Sequence, residues 1–131
     1  MATVAPPASF NFADVWEMVA DAVGDREALV CGTQRRTYAQ LEERANRLAN
    51  HLLELGVGPG EHVGLYLENC PEYLEAMLAC FKIRAVPINV NYRYVAGELR
   101  YLLDNSDAVG VLHGPQHAEV LAGILPDLDR V

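Results

Sequence analysis

The sequence is short of several things that would each have pointed to a function. It has a single lysine, Lys82, and its 10 Lys and Arg stand against 18 Asp and Glu, a formal net charge of −8 over 131 residues. So acidic a chain lacks the electrostatic footprint that nucleic-acid binding needs, which excludes nucleic acid as a partner, and the same charge disfavours docking on anionic lipid. Cysteines are few: Cys31, Cys70 and Cys80, an odd number with no Cys-x-x-Cys spacing. Buried, reduced thiols in a cytoplasmic protein are the expectation. The longest wholly apolar run is residues 76–81, far below the ~18 residues that a membrane helix requires. The opening MATVAPPASF has neither the basic start nor the apolar centre of a signal peptide. Phosphate cradles need glycines, backbone N–H groups and usually a lysine, and no Gly-rich loop precedes a helix here. What remains is a chain of one-domain length with 51% apolar residues, an ordinary globular composition.

What is present centres on residues 60–93. The apolar stretch 62–67 is bounded by Gly-Pro-Gly and by Glu-Asn-Cys-Pro, which fits a strand buried on both faces. Pro71 suits the first position of a helix, with Asn69 or Cys70 as its cap and Asn much the better capping residue. The helix continues over 72–84, apolar around most of its girth. A second strand follows at 85–90, giving a βαβ unit and hence a parallel sheet. Before it, Asn11 precedes a helical repeat of Phe12, Val15, Trp16, Val19 and Val23. Two short strands, 27–31 and 35–38, flank Gly32-Thr33-Gln34 as a hairpin. Thr37 and Gln40 form a capping box, and Leu41, Ala45, Leu48, Leu52 and Leu55 make one stripe of the helix they open. Glu42, Glu43, Arg44 and Arg47 face water in this reading, and Gly56 ends the helix. A helix over 95–105, a third parallel strand over 107–112 and a last helix from His113-Gly114-Pro115 to about 125 complete the pattern. The expected fold is therefore α/β: three layers, a mainly parallel sheet with flanking helices and a small N-terminal hairpin. Residues 1–10 are expected to be a flexible arm, with the α/β unit over 11–131. The α/β alternation places its next strand at Leu128-Asp129-Arg130-Val131, which suggests a piece of something longer.

Ligands in open α/β sheets sit beyond the carboxyl ends of the strands. The candidates there are Glu68-Asn69-Cys70, residues 89–93 and residues 113–117. Cys70 as a nucleophile lacks a histidine nearby in sequence, and His113 with His117 lacks a third metal ligand, so capping and turn roles outweigh both. Asn89, Asn91, Arg93 and Glu98 form a polar cluster at a turn, where Asn91 can bond to nearby backbone and Arg93 can pair with Glu98. This cluster is read as structural, and no catalytic, cofactor or metal residue is assigned within the chain.

The ordered set of motifs resembles the adenylate-forming ligase superfamily. It includes Thr37-Tyr38-Ala39-Gln40-Leu41, then Leu55-Gly56-Val57-Gly58-Pro59-Gly60-Glu61, then Glu68-Asn69-Cys70-Pro71-Glu72-Tyr73. It continues through Ala79, Lys82, Ala85, Pro87, Asn89 and Arg93 to Glu98-Leu99 and Ser106-Asp107-Ala108. Within the superfamily it is most similar to bacterial acyl-CoA synthetases, including actinobacterial fatty-acid and steroid-side-chain ligases. One departure is Arg84, where many members carry a small residue, often glycine. The resemblance implies that the parent protein activates a fatty or steroid-derived carboxylic acid with Mg-ATP to an acyl-adenylate, which coenzyme A then captures. The family's phosphate loop and catalytic lysine lie downstream, so the chain itself is expected to hold no cofactor and to be inactive. Its partners would be the rest of its parent chain and, at a severed sheet edge, a second copy. The alternative from another class is a stand-alone α/β interaction or regulatory domain.

Overall fold

The computed structural model describes residues 10–131. The flexible arm expected at the N-terminus therefore lies outside the described residues but for Phe10, which is exposed. Helix α1 (Phe12–Val23) is opened by Asn11, whose side chain accepts the Ala13 N–H while Asp14 reaches back to the Asn11 N–H. Strands β1 (Glu27–Cys31) and β2 (Gln34–Thr37) pair antiparallel around Gly32, whose φ of 58° suits the tight turn. Helix α2 (Tyr38–Glu54) starts with the expected capping box. Thr37 Oγ1 accepts from the Gln40 N–H at 3.2 Å and Gln40 Oε1 from the Thr37 N–H at 2.9 Å. Gly56, with φ of 92°, turns the chain out of that helix.

The core is a parallel sheet in the order β4-β3-β5, built from β3 (His62–Tyr66), β4 (Val86–Asn89) and β5 (Ala108–His113). Helix α3 (Pro71–Lys82) makes the crossover from β3 to β4, and α4 (Ala96–Asn105) the crossover from β4 to β5. After β5 come a 3-10 turn (Pro115–His117) and the short α5 (Ala118–Ile124). Alternation along β3 divides the molecule. Val63 and Leu65 pack with Ala49, Leu52, Ala76 and Ala79 of α2 and α3, while Tyr66 packs with Leu99, Leu103 and Leu121 of α4 and α5. Covering both faces is what a parallel sheet requires. A third cluster, Leu41, Ala45 and Leu78 with Trp16, Ala28 and Leu29 against them, seats α1 and the hairpin on the outer side of α2 and α3.

Several expectations need correction. On α1 the buried residues are Ala13 and Ala20, whereas Phe12, Val15 and Val19 are exposed. The helix docks on these small residues and on Trp16, while Phe12, Val15, Met18 and Val19 stay largely outside. Leu55 is likewise exposed, because the chain has left the α2 stripe by then. The cap position of α3 is Cys70 rather than Asn69, and its side chain makes no capping bond. Of the three thiols only Cys80 is buried; Cys31 and Cys70 are half-buried. Among the described residues no helix is long and apolar enough to cross a membrane.

Candidate functional site

The chain runs from β3 outward to β4 and then crosses back over β3 to β5. The two successive crossovers therefore run in opposite directions across the sheet, and the gap between the carboxyl ends of β3 and β5 is a topological switch point, where α/β sheets bind ligands. A crevice of about 790 Å³ opens there. Leu67, Glu68, Asn69 and Cys70 enter it from the end of β3, and Leu112, His113 and Gln116 from the end of β5. Helix α2 adds Arg44, Arg47 and Leu48, and α3 adds Glu75 and Ala76. Two of the three candidate groups read from strand ends thus meet in one cavity. The third, around Asn89 and Arg93, lies outside it, past the other side of β3.

The crevice has an apolar floor of Leu48, Leu67, Ala76 and Leu112 and a charged wall. Arg44 Nε donates to Glu75 Oε1 at 2.5 Å, with the Glu75 side chain only 6% exposed. The bond to Glu75, and then its charge, push the Arg44 pKa further up, so the guanidinium keeps its charge. Arg47 is held by Glu43 one turn away on α2. Arg44 does face water, as expected, but its Nε is committed to a carboxylate of the neighbouring helix. The signal is Glu75, a carboxylate amid the apolar residues 73–81 of α3, which needs a cation from a neighbouring element.

Nucleophilic chemistry finds little support. Burial pushes the Cys70 thiol up, the opposite of what an activated cysteine needs. His113 and His117 point to different places. His113 Nδ1 lies 2.8 Å from the Gly114 carbonyl at the crevice rim, whereas the buried His117 ring stacks on Tyr66 with centroids 4.0 Å apart. Tyr66 in turn donates its hydroxyl to the Tyr94 carbonyl, and burial raises its pKa. Among the described residues no group of three or more His, Cys, Asp or Glu side chains is arranged to hold a metal.

The turn cluster resolves into separate local bonds. Asn89 Oδ1 accepts from the Tyr73 hydroxyl at 2.7 Å, and Asn91 Oδ1 from the Arg93 N–H at 3.0 Å. Glu98 accepts the Val95 N–H at the start of α4, and the Arg93 guanidinium lies over the Tyr92 ring, 5.4 Å from its centroid. The Arg93–Glu98 pair expected across the turn does not form, since each side chain has found a partner closer in sequence. Lys82 is equally committed. Its side chain is 7% exposed, and Nζ lies 2.7 Å from Glu17 Oε1 and 2.6 Å from Glu42 Oε1. A lysine so enclosed is not free to reach a phosphate.

The family model for AMP-binding enzymes matches residues 16–131. The chain belongs to that family. It is 54% identical over 123 residues to a medium/long-chain-fatty-acid–CoA/3-oxocholest-4-en-26-oate–CoA ligase of Mycobacterium marinum, covering 94% of this chain and 22% of the relative. A 3-oxocholest-4-en-26-oate–CoA ligase of Rhodococcus rhodochrous is 52% identical with the same coverage. Among solved structures, a putative long-chain-fatty-acid CoA ligase from Rhodopseudomonas palustris superposes with a TM-score of 0.89 at 34% identity, covering 96% of this chain and 32% of its own. The chain thus spans about a fifth of the length of these curated relatives. Its fold is that of the N-terminal domain of adenylate-forming ligases, with the hairpin and parallel sheet as expected.

Proposed function

We propose that this chain is the N-terminal segment of an acyl-CoA synthetase acting on medium- or long-chain fatty acids or steroid-derived carboxylic acids. The parent would join acid and ATP to an acyl-adenylate, releasing pyrophosphate, and then exchange AMP for the thiol of coenzyme A. The observation that carries this reading is the 54% identity, sustained over 94% of the chain, to a ligase named for those substrates. The residues present here do not fit ATP or its Mg²⁺. The one lysine is enclosed by two carboxylates, no Gly-rich loop precedes a helix, and the described residues hold no acidic metal cluster. In this reading the nucleotide, Mg²⁺ and coenzyme A would be held by other parts of the parent, and no catalytic step is assigned to this chain. Its role would be to frame the active site from behind, in a cytoplasmic enzyme. β4 and β5 are the outer strands of the sheet, which makes self-association of the isolated chain part of the same proposal.

Isothermal titration of the chain with Mg-ATP tests the placement of the nucleotide site. No heat of binding is expected. Saturable binding at a one-to-one ratio would show that the phosphate site lies within these residues and would overturn the placement.

A further inference from the structure

Helix α1 carries an apolar stripe that the described residues leave largely uncovered. Phe12, Val15, Val19 and Ala22 follow the i, i+3, i+7, i+10 spacing of one helix face, and Met18 lies beside Val15 and Ala22. All five are exposed, Phe12 at 74% and Met18 at 70%. The residues that seat the helix, Ala13, Trp16 and Ala20, lie on a different face. Apolar side chains gathered on one exposed face, rather than scattered singly, mark an interaction surface. One edge of the stripe is acidic. Asp14 and Asp21 flank Met18 about one turn away on either side, and Asp25 follows just past the end of the helix. Asp14 and Glu17 already hold Arg84 and Lys82. Among the described residues neither Asp21 nor Asp25 has an ion-pair partner, and Arg26 is the one cation close to them in sequence.

We propose that this face of α1 docks an amphipathic helix of a partner protein, one with lysine or arginine along a flank of its apolar side. Ridges at i, i+3 and i+7 pack into the grooves of another helix, and the apolar anchors supply the contact. The unpaired carboxylates at the edge select a basic flank, because opposite charge there speeds docking and like charge opposes it. A second copy fits less well, since it would bring its own acidic row to the same interface. Anionic lipid fits less well again, being repelled by that row and by the net charge of −8. From Phe12 to Ala22 the stripe is about 15 Å long at the helical rise, so it holds about three turns of the partner. Five side chains are far fewer than the about 20–30 residues a side of a stable complex, so the contact is transient. This rests on the surface of this chain and is independent of which reaction the parent performs.

The test is isothermal titration of the full chain with a synthetic Leu/Lys peptide whose leucines share one helical face and whose lysines flank it. A saturable one-to-one complex is expected. Its affinity should fall roughly tenfold in Val15→Ser/Met18→Ser, which removes apolar anchors, and severalfold in Asp21→Asn/Asp25→Asn or at high salt. Both double variants change exposed residues, so their circular dichroism spectra should match the wild type. A scrambled peptide of the same composition, with no apolar face, should show no saturable binding. Equal binding of the scrambled peptide, or an unchanged affinity in Val15→Ser/Met18→Ser, would overturn the proposal. A dimer in sedimentation that this variant dissociates would overturn it in favour of a second copy. Binding to phosphatidylcholine vesicles that the variant abolishes would overturn it in favour of lipid.

Discussion

Arg44 and Glu75 join α2 to α3 through a 2.5 Å charge-assisted bond whose carboxylate is almost wholly enclosed. The pair is asymmetric, because Arg44 keeps 43% of its side chain in solvent while Glu75 keeps 6%. Removing the arginine should therefore hurt more than the loss of one surface ion pair. Arg44→Met leaves a buried carboxylate without its cation and should cost about 2 kcal/mol. Glu75→Gln removes the charge but keeps an acceptor, and should cost about half as much. Urea denaturation midpoints for the two variants give the comparison; equal costs would mean that Glu75 finds water instead.

Lys82 holds a second such junction, bridging Glu17 of α1 and Glu42 of α2, while Trp16 donates its indole N–H to Glu42. Because the lysine is enclosed, Lys82→Met should cost about 2–3 kcal/mol, with two carboxylates left facing each other. Adding Glu42→Gln should recover part of that loss, whereas independent sites would simply add. Denaturation of the two single variants and the double variant measures this coupling.

These two junctions mark where sequence reasoning stopped. Period and punctuation exposed the hairpin, the capping box at Thr37 and the βαβ unit, since each is encoded by neighbours within a few residues. Glu42, Arg44 and Lys82 sit at positions that a helical wheel assigns to solvent or core without naming a partner. Their partners come from other helices, so only the packed structure reveals them. The same holds for α1, where small Ala13 and Ala20 allow close approach and, Trp16 apart, the larger residues Phe12, Val15, Met18 and Val19 are turned outward. At the crevice, two candidate strand ends were legible from the switch-point rule. The walls contributed by α2 and α3 were not, because they depend on how those helices lie across the sheet.

Arg84 adopts φ of 62°, the left-handed region that favours glycine, and is also bonded to Asp14 at 3.1 Å. Left-handed backbone costs a side-chain-bearing residue roughly 1–2 kcal/mol, whereas a half-exposed ion pair contributes about 0–1 kcal/mol. Arg84→Gly should thus be neutral or stabilising by about 0.5 kcal/mol, and Arg84→Val, with its branched Cβ, destabilising by about 2 kcal/mol. Thermal melting of the three proteins should rank Gly at or above Arg and Val below both.

Cys80 carries a pH signature. Burial raises its pKa from 9.0 to about 11, so its thiol ionises in the unfolded chain before it does in the folded one. Its contribution to stability is fully present below pH 9 and is lost as pH rises towards 11. Stability measured from pH 8 to 11 should fall more steeply in the wild type than in Cys80→Ala, whose overall stability is lower. Parallel curves would mean that the thiol is open to solvent in the folded state.

The central claim, that this chain is a working N-terminal segment of an acyl-CoA synthetase, is tested most directly by exchange. The matching 123 residues of the Mycobacterium marinum ligase would be replaced by those of this chain, and the chimera assayed for fatty acid-dependent pyrophosphate exchange and acyl-CoA formation. The account predicts a folded chimera that retains both. A chimera that folds but forms no acyl-adenylate would contradict it.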